Sequence, residues 1–305
     1  MHDVIIIGGG PSGLSAALYA ARAGKDTILF ERMFIGGQMA TTTTIENYPG
    51  IQSVSGFELA QSMERQAVSF GTKILYEEVV SIEIDKINKI VKTNNATYMA
   101  KAIILAMGAS PQELSVPGEK ELRGMGVSYC ATCDGAFFRN KPTTVVGGGN
   151  TALEDAIFLG EICSKVYLIH RRDSFRAEKV LQEKASSMKN IEFMLNSTVE
   201  GIKGDGHVEA VDIKNVKTGE SKSINVDGIF VGIGTKPNSE LVKGLVEINN
   251  GGYIYSDNNM QTNLFGVFVA GDVREKMIRQ VVTASADGAA AAQASIRYIN
   301  EHQWS

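Results

Sequence analysis

Two cysteines separated by two residues stand near the middle of the sequence. They lie in the segment Cys130-Ala131-Thr132-Cys133-Asp134, where a carboxylate directly follows the second cysteine. A Cys-x-x-Cys pair can form and open a disulfide in a two-electron step, and Asp134 can exchange protons with the thiols. The segment predicts a redox site with Cys130, Cys133 and Asp134 as its catalytic residues. Helix capping is the alternative role for Asp134.

Other uses of a cysteine pair fit the sequence less well. A structural zinc site needs four Cys or His ligands, whereas the chain has one further cysteine, Cys163, and four scattered histidines. No metal is therefore expected. A structural disulfide that closes so short a loop would stabilise the fold little. We interpret Cys163 as a small buried apolar residue.

The cysteine pair lies between two copies of a dinucleotide-binding pattern, the second of which begins 139 residues after the first. Each copy is a Gly-x-Gly-x-x-Gly/Ala turn between an apolar strand and a helix of small residues. Such a turn lets the backbone approach a pyrophosphate at the helix N-terminus. The predicted contacts are Gly8, Gly10, Pro11, Ser12 and Gly13 in the first turn, and Gly147, Gly149, Asn150, Thr151 and Ala152 in the second.

The elements around the two turns repeat in the same order: strand, helix, strand and a later strand that ends in glycine. They are predicted at residues 4–7, 14–23, 27–30 and 102–108, and again at 144–146, 153–162, 166–169 and 228–234. This repeat predicts an α/β fold with two Rossmann-like dinucleotide-binding domains.

A last strand at residues 267–270 and an Ala-rich helix at 280–299 have no counterpart after the second copy. We assign them to the first domain, which makes the second domain an insertion in the first. The expected domains are residues 1–112 with 239–305, and residues 113–238. The chain is expected to cross between them at 111–117 and 235–238, and these two crossings could act as a hinge.

The residue that ends the second strand of each unit distinguishes the two nucleotides. Glu31 can accept hydrogen bonds from ribose hydroxyls, and its charge disfavours a 2′-phosphate. The matching place in the second unit holds His170, Arg171 and Arg172, with Arg176 four residues later. Guanidinium groups bind a phosphate dianion well, so we expect NADPH rather than NADH at this site. A solvated basic turn is the alternative.

Composition and charge narrow the possible partners. A formal net charge of -4 gives no basic surface for nucleic acid. No apolar run approaches the ~20 residues that span a bilayer, so no membrane partner is expected. The strand at 4–7 leaves no room before it for a signal peptide, and three cysteines suit a reducing compartment. A cytoplasmic location is expected.

This ordered set of motifs resembles that of the bacterial-type, low-molecular-weight thioredoxin reductases, over essentially the whole chain. The resemblance also rests on Gly36-Gly37-Gln38, Glu46-Asn47-Tyr48-Pro49-Gly50, Gly271-Asp272-Val273 and Arg279-Gln280. It implies FAD in the first domain, NADPH in the second, a homodimer, and a rotation that presents the dithiol alternately to flavin and thioredoxin. It further implies FAD contacts from Gly37, Gln38, Asn47, Gly108, Gly271, Asp272, Arg279 and Gln280.

Three positions depart from the family pattern. Met107 replaces a usual Thr, Met125 replaces a basic residue implicated in docking thioredoxin, and Ala136 replaces an aromatic residue found in some relatives. Phe137 and Phe138 remain as a predicted apolar clamp.

Three alternative functions stay open. The first is a ferredoxin-fed relative without NADPH, against which the arginine cluster argues. The second is a reductase for another carrier, such as a glutaredoxin-like protein or a peroxidase module, which Met125 leaves possible. The third is a redox-sensing binding protein without turnover.

Overall fold

A computed structural model describes residues 1–42, 44–85, 88–302 and 304 of the chain. Residues 1–110 and 236–305 form one compact unit, and residues 111–235 form a second. Within the part of the chain that is described, no helix is both long and apolar enough to cross a bilayer. The same residues contain no group of three or more His, Cys, Asp or Glu side chains placed to hold a metal ion.

Strands and helices alternate along much of the chain. The strands are β1 (His2–Ile7), β2 (Thr27–Phe30), β3 (Lys73–Leu75), β4 (Val79–Asp85), β5 (Asn88–Thr93), β6 (Thr97–Leu105), β7 (Ala109–Pro111), β8 (Val127–Ser128), β9 (Pro142–Val146), β10 (Lys165–His170), β11 (Ile191–Leu195), β12 (Ser197–Lys203), β13 (Ala210–Asn215), β14 (Ser221–Asn225), β15 (Gly228–Val231), β16 (Thr235–Pro237) and β17 (Val267–Val269). The α-helices are α1 (Pro11–Arg22), α2 (Gly56–Ser69), α3 (Ala131–Asp134), α4 (Asn150–Ile162), α5 (Lys179–Ser187) and α6 (Val281–Glu301), and the 3-10 helices are Gly37–Thr41, Gly135–Phe138 and Glu240–Val242.

The first unit is built on a sheet of order β3-β2-β1-β6-β5-β4, with β17 paired to β6. β1, β2, β3, β6 and β17 run parallel, whereas β4 and β5 are antiparallel to their neighbours. From Val4 to Ile7 both faces of β1 are buried, and this part of the strand is continuously apolar. Val4 and Ile6 pack with residues of α1, α2 and α6, and Ile5 and Ile7 pack in a second cluster with residues such as Ile254.

The second unit is built on an all-parallel sheet of order β11-β10-β9-β15-β8. One face packs against α4, where Val145 and Phe230 meet Leu153 and other residues of that helix. The opposite face packs with β12, β13 and β14, which form a separate antiparallel sheet. β9 is thereby held between two apolar layers, one of which includes α4.

The predicted α/β fold with two Rossmann-like units is confirmed, and its element boundaries are refined. α1 begins at Pro11 and α4 at Asn150, each three residues before the predicted start. The reason is local: Gly10 and Gly149 have extended backbones and serve as N-caps, so the last residues of each glycine turn already belong to the helix. β6 ends at Leu105, before its predicted glycine end.

The chain passes from one unit to the other at β7 and again at β16, and these two short strands pair with each other. Hydrogen bonds extend the pairing on either side: Gln112 N donates to Gly234 O at 2.9 Å, and Asn238 N donates to Gly108 O at 3.0 Å. Both crossings are therefore short and adjacent.

Candidate active site

Cys130 and Cys133 form a disulfide at the start of α3, with their Cα atoms 5.3 Å apart. Cys130 is the N-cap of this helix, and its carbonyl accepts hydrogen bonds from Cys133 N at 3.3 Å and Asp134 N at 3.1 Å. One helical turn therefore places both sulfur atoms within bonding distance. The pair is half-buried in the second unit.

Ser128 joins the disulfide segment to the carboxylate that follows it. Its hydroxyl donates to Asp134 Oδ2 at 2.6 Å and accepts from Cys130 N at 3.1 Å. Burial raises the pKa of Asp134, and the Ser128 hydrogen bond lowers it in part. Sequence reasoning missed Ser128, because a serine two residues before a cysteine carries no pattern of its own.

The helix-cap alternative for Asp134 is wrong. The residue ends α3 and occupies the N-cap position of the 3-10 helix that follows, but its side chain makes no capping hydrogen bond there. Its carboxylate bonds Ser128 instead. The arrangement leaves Asp134 as a partly buried acid within the redox segment, suited to moving a proton.

The other residues singled out near the disulfide have different surroundings. Cys163 is a free, buried thiol, as predicted. Phe137 is 46% exposed, whereas Phe138 packs edge-on against Phe230 in the core, with ring centroids 5.3 Å apart. Only Phe137 of the predicted apolar clamp therefore offers an open aromatic surface. Met125 is also exposed.

The first glycine turn lies between β1 and α1 and is tied to the ends of neighbouring segments. Gly9 N donates to Glu31 Oε2 at 2.9 Å, and Gly9 O accepts from Gly36 N at 2.8 Å. A Cβ atom built on Gly37 would lie 3.6 Å from Gly10 Cα, and one built on Gly10 would meet no atom within 4 Å. The turn therefore presents an open backbone beside Glu31 and Gly37, as a pyrophosphate site requires.

More of the predicted flavin residues converge on the same unit. Asn47 Nδ2 donates to Gln280 Oε1 at 3.2 Å, and a Cβ atom on Gly271 would lie 2.4 Å from Ser12 Oγ. Gln38 Nε2 donates to Ala109 O. Gly37 and Gly271 thus lie against the turn, which includes Gly8, Pro11 and Gly13, whereas Asn47 contacts Gln280 and Gln38 contacts the residue after the open glycine Gly108.

Three buried polar atoms in this unit have no hydrogen-bond partner among the described residues: Asp272 Oδ1, Arg279 Nε and Ser285 Oγ. The first two belong to predicted flavin contacts. Lys276 Nζ lies 3.3 Å from Asp272 Oδ1, close enough for an ion pair but without hydrogen-bond geometry. The Arg279 guanidinium stacks over Tyr253, 4.1 Å from the ring centroid. Buried polar atoms are costly unless bonded, so an acceptor and a donor here fit a polar ligand such as FAD.

The second glycine turn repeats the hydrogen bonds of the first. Gly147 N donates to Ile169 O, as Gly8 N does to Phe30 O, and Arg176 N donates to Gly148 O at 2.8 Å, as Gly36 N does to Gly9 O. Gly149, the N-cap of α4, is as open as Gly10, and Gly147, Thr151 and Ala152 complete the turn. The internal repeat is therefore a repeat of backbone hydrogen bonding.

Arg176 is fixed beside this turn in two ways. Its own backbone bonds Gly148, and two residues later Glu178 exchanges two hydrogen bonds with the Asn150 side chain, each of 2.9 Å. Arg171, Arg172 and Arg176 are exposed, and none takes part in an ion pair among residues 1–42, 44–85, 88–302 and 304. Three guanidinium groups without an internal counter-ion suit a phosphate.

His170 lies beneath the turn, away from solvent. Its ring is stacked on Phe175 and occupies the space that a Cβ atom on Gly148 would need, with the nearest ring atom 2.2 Å away. Burial, followed by the three neighbouring arginines, lowers its pKa, although a hydrogen bond to Ser174 O opposes this. A neutral His170 therefore supports the turn from below.

Asp155, like Asp134, is a carboxyl group of the second unit whose pKa is raised. It lies on α4 one turn after the glycine turn, and burial, aided by the charge of Glu154, raises its pKa to about 7. Periodicity alone did not single it out, because a polar residue in a helix is usually solvated.

The sequence profile of the pyridine nucleotide-disulphide oxidoreductase family matches residues 2–288. The chain belongs to this family. A protein named thioredoxin reductase from Peptoclostridium acidaminophilum is 47% identical to it, over 98% of this chain and 97% of that protein. Another so named, from Bacillus subtilis, is 44% identical over 99% of this chain and 96% of that protein.

Solved structures agree with the sequence comparisons. The crystal structure of thioredoxin reductase from Streptococcus pyogenes has 43% identity and a TM-score of 0.93, and each chain is covered to 99%. The resemblance found in the motifs is thereby confirmed, and the family name places both a pyridine nucleotide and a disulfide in the chemistry of this oxidoreductase.

Proposed function

We propose that this chain is an NADPH-dependent flavoprotein that reduces the disulfide of thioredoxin through Cys130 and Cys133. The observation that carries the proposal is the disulfide itself, held beside Asp134 in a unit that also bears an arginine-flanked glycine turn. The other unit bears a matching turn, whose Gly9 amide donates to the Glu31 carboxylate that follows β2. Relatives of 44–47% identity named thioredoxin reductase support the same assignment.

The first unit suits FAD. Its open glycine turn can take the pyrophosphate, and Glu31 can accept bonds from ribose hydroxyls. Asp272 and Arg279 each bring a buried polar atom that has no hydrogen-bond partner among the described residues. When bound, FAD accepts a hydride from NADPH and passes two electrons to a disulfide. The protein binds and orients the cofactor for this chemistry.

The second unit suits NADPH. The turn at Gly147–Ala152 can hold the pyrophosphate at the N-terminus of α4, and the three exposed arginines can neutralise the 2′-phosphate. His170 holds the turn in shape from below. All of these residues lie in the compact unit of residues 111–235, which supports domain limits close to these for the NADPH-binding domain.

The cysteine pair passes the electrons to the partner. NADPH gives up a hydride, and two electrons open the Cys130–Cys133 disulfide to a dithiol as two protons are taken up. One thiolate then attacks the partner's disulfide, and the second cysteine resolves the mixed disulfide. The sum is NADPH and one proton consumed, NADP⁺ and a reduced partner formed. Asp134 is placed to give and take protons at the sulfur atoms.

The dithiol must meet FAD in one half-reaction and a protein in the other. A rotation of the second unit about β7 and β16 would allow both, because only two short paired segments connect the units. Few residues then need to change backbone conformation.

The choice of partner is tested by NADPH oxidation with a panel of protein disulfides: thioredoxins, glutaredoxin-like proteins and a peroxidase module. We expect a yellow, FAD-containing protein with the highest kcat/KM for a thioredoxin, which Phe137 can contact beside the disulfide. A colourless protein that cannot be reconstituted with FAD would refute the mechanism. Activity with reduced ferredoxin instead of NADPH would favour the ferredoxin-fed alternative, and absence of turnover a redox-sensing role.

We also propose a homodimer formed through the first unit. A cleft of about 350 Å³ between α1, α2 and α6 is lined by both apolar and polar side chains, and two of its apolar lining residues, Tyr19 and Val282, are 40% and 38% exposed. Sedimentation at micromolar concentration is expected to give a dimer that Val282→Glu weakens. The matched control is Val216→Glu, at an exposed valine of the other unit. A wild-type monomer would contradict the proposal.

We propose a cytoplasmic location, because a dithiol relay and a buried free thiol at Cys163 both suit a reducing compartment. Fractionation of cells that express the tagged protein tests this. Recovery from an oxidising compartment would contradict it.

A further inference from the structure

A buried charged cluster lies directly beneath the Gly271-Asp272 turn of the first unit. Its centre is the carboxylate of Asp287, on α6. Asp287 Oδ2 accepts from Gly271 N at 3.1 Å, from Arg274 Nε at 2.9 Å and from Lys276 Nζ at 3.1 Å. We name Arg274, Lys276 and Asp287 the turn cluster.

The turn cluster is shielded from water. The side chains of Lys276 and Asp287 are only 7% and 9% exposed. Close packing of α6 on α1 produces this burial: a Cβ atom on Gly288 would lie 2.0 Å from Ser12 O. Burying charged groups costs free energy, and ion pairing offsets this cost only in part. Apolar residues in place of a buried ion pair often give a fold that is equally stable. A contribution to fold stability therefore does not by itself explain why these charged residues are buried here.

The contacts of Lys276 suggest a different role. Its ammonium lies 3.1 Å from Asp287 Oδ2 and 3.3 Å from Asp272 Oδ1, so one cation serves two carboxylates. Asp272 Oδ1 is a buried oxygen that has no hydrogen-bond partner in the described part of the chain. Lys276 therefore contacts Asp272 Oδ1, the oxygen that would accept a hydrogen bond from FAD at the proposed site.

We propose that Lys276 is a positioning residue for FAD binding, which acts through Asp272: anchored by Asp287, its ammonium holds the Asp272 carboxylate as a charged acceptor for a cofactor hydroxyl. The inference rests on the proposed FAD site. Arg274 and the Gly271 amide complete the anchor by fixing Asp287.

The charges around Asp272 support this role. Burial is the largest influence on the pKa of Asp272, and it raises that pKa. The positive charges of Lys276 and Arg279 lower the pKa of Asp272, whereas the negative charge of Asp287 raises it. Removing the Lys276 charge would leave two carboxylates facing each other without the shared cation. Asp272 would then tend to take up a proton and become a poorer acceptor.

The test is a double-mutant cycle on the dissociation constant of FAD, measured by flavin fluorescence with protein freed of FAD and reconstituted. Lys276→Gln is expected to raise the constant at least roughly tenfold, as for loss of a bond to a charged group. In an Asp272→Asn background the same substitution should change it less than about twofold, because its target is already neutral. Lys243→Gln, at a 75% exposed lysine of the same unit, is the matched control and should have no effect.

Each outcome decides. An unchanged FAD affinity in Lys276→Gln, or equal effects with and without the Asp272 carboxylate, would overturn the inference while leaving FAD as the cofactor. A wild-type protein that binds no FAD would refute the proposed function itself. Lys276→Met, which keeps the buried stem, is the second variant. If neither variant folds without FAD by circular dichroism, the cluster serves the fold and the inference is overturned.

Discussion

Replacing Ser128 with alanine tests the link between the disulfide segment and its acid. Ser128 donates to Asp134 Oδ2 at 2.6 Å, and this bond stabilises the charged form of a carboxyl group whose pKa burial raises. Its loss therefore raises the pKa of Asp134 further. A hydrogen bond to a charged group contributes about 1.5–3 kcal/mol, and one pKa unit corresponds to about 1.4 kcal/mol. The expected increase is about one to two units.

The consequence appears in the half-reaction between the dithiol and the partner. If Asp134 moves a proton at the sulfur atoms, the limb of the pH–rate profile that reports its ionisation shifts to higher pH by the same amount. The assay is single-turnover reduction of a thioredoxin by pre-reduced enzyme, in stopped flow, between pH 5 and 10 at about half-unit steps.

Two variants complete this experiment. Asp134→Asn should remove the limb altogether, and Ser221→Ala, at an exposed serine of the same unit, should leave the profile unchanged. A limb that stays in place in Ser128→Ala, or that survives in Asp134→Asn, would refute the reasoning and leave Asp134 a structural residue.

Three further predictions concern the second unit. Cys130→Ser or Cys133→Ser should abolish disulfide reduction but leave flavin bleaching by NADPH intact, and near wild-type turnover in either variant would exclude the relay. Replacing Arg171, Arg172 and Arg176 by Ala should raise KM for NADPH by roughly ten- to a hundredfold per arginine and change KM for NADH little. Lys222→Ala is the control, and a retained preference for NADPH in the triple variant would refute the phosphate site. The folded protein keeps a proton on Asp155 up to about pH 7, so the wild type loses stability as pH rises from about 4 to 7. Asp155→Asn should therefore increase the free energy of unfolding at pH 8 by at most about 4 kcal/mol and change it little at pH 4, as measured by thermal unfolding at the two pH values. A gain independent of pH would contradict this.

The elements that repeat locally were predictable from the sequence. Continuous apolar strands, glycine turns and small-residue helices follow from backbone preferences and burial within a few residues, so β2 was predicted at its exact bounds, Thr27–Phe30. The starts of α1 and α4 were missed by three residues each, because helical conformation begins inside the glycine turn.

By itself, the sequence indicated the chemistry of this protein: a cysteine pair followed by a carboxylate, two glycine turns, and an acidic and a basic residue set from which two different nucleotides are predicted. These signals can be recognised in the sequence because each is a short run of residues whose backbone geometry depends on its near neighbours in the chain. Only the tertiary structure decided how their charges are supported. Ser128 meets Asp134, His170 lies under Gly148, and Lys276 lies between Asp272 and Asp287. Their protonation and orientation depend on burial and on partners from other elements, and only the folded chain sets burial and brings those partners together.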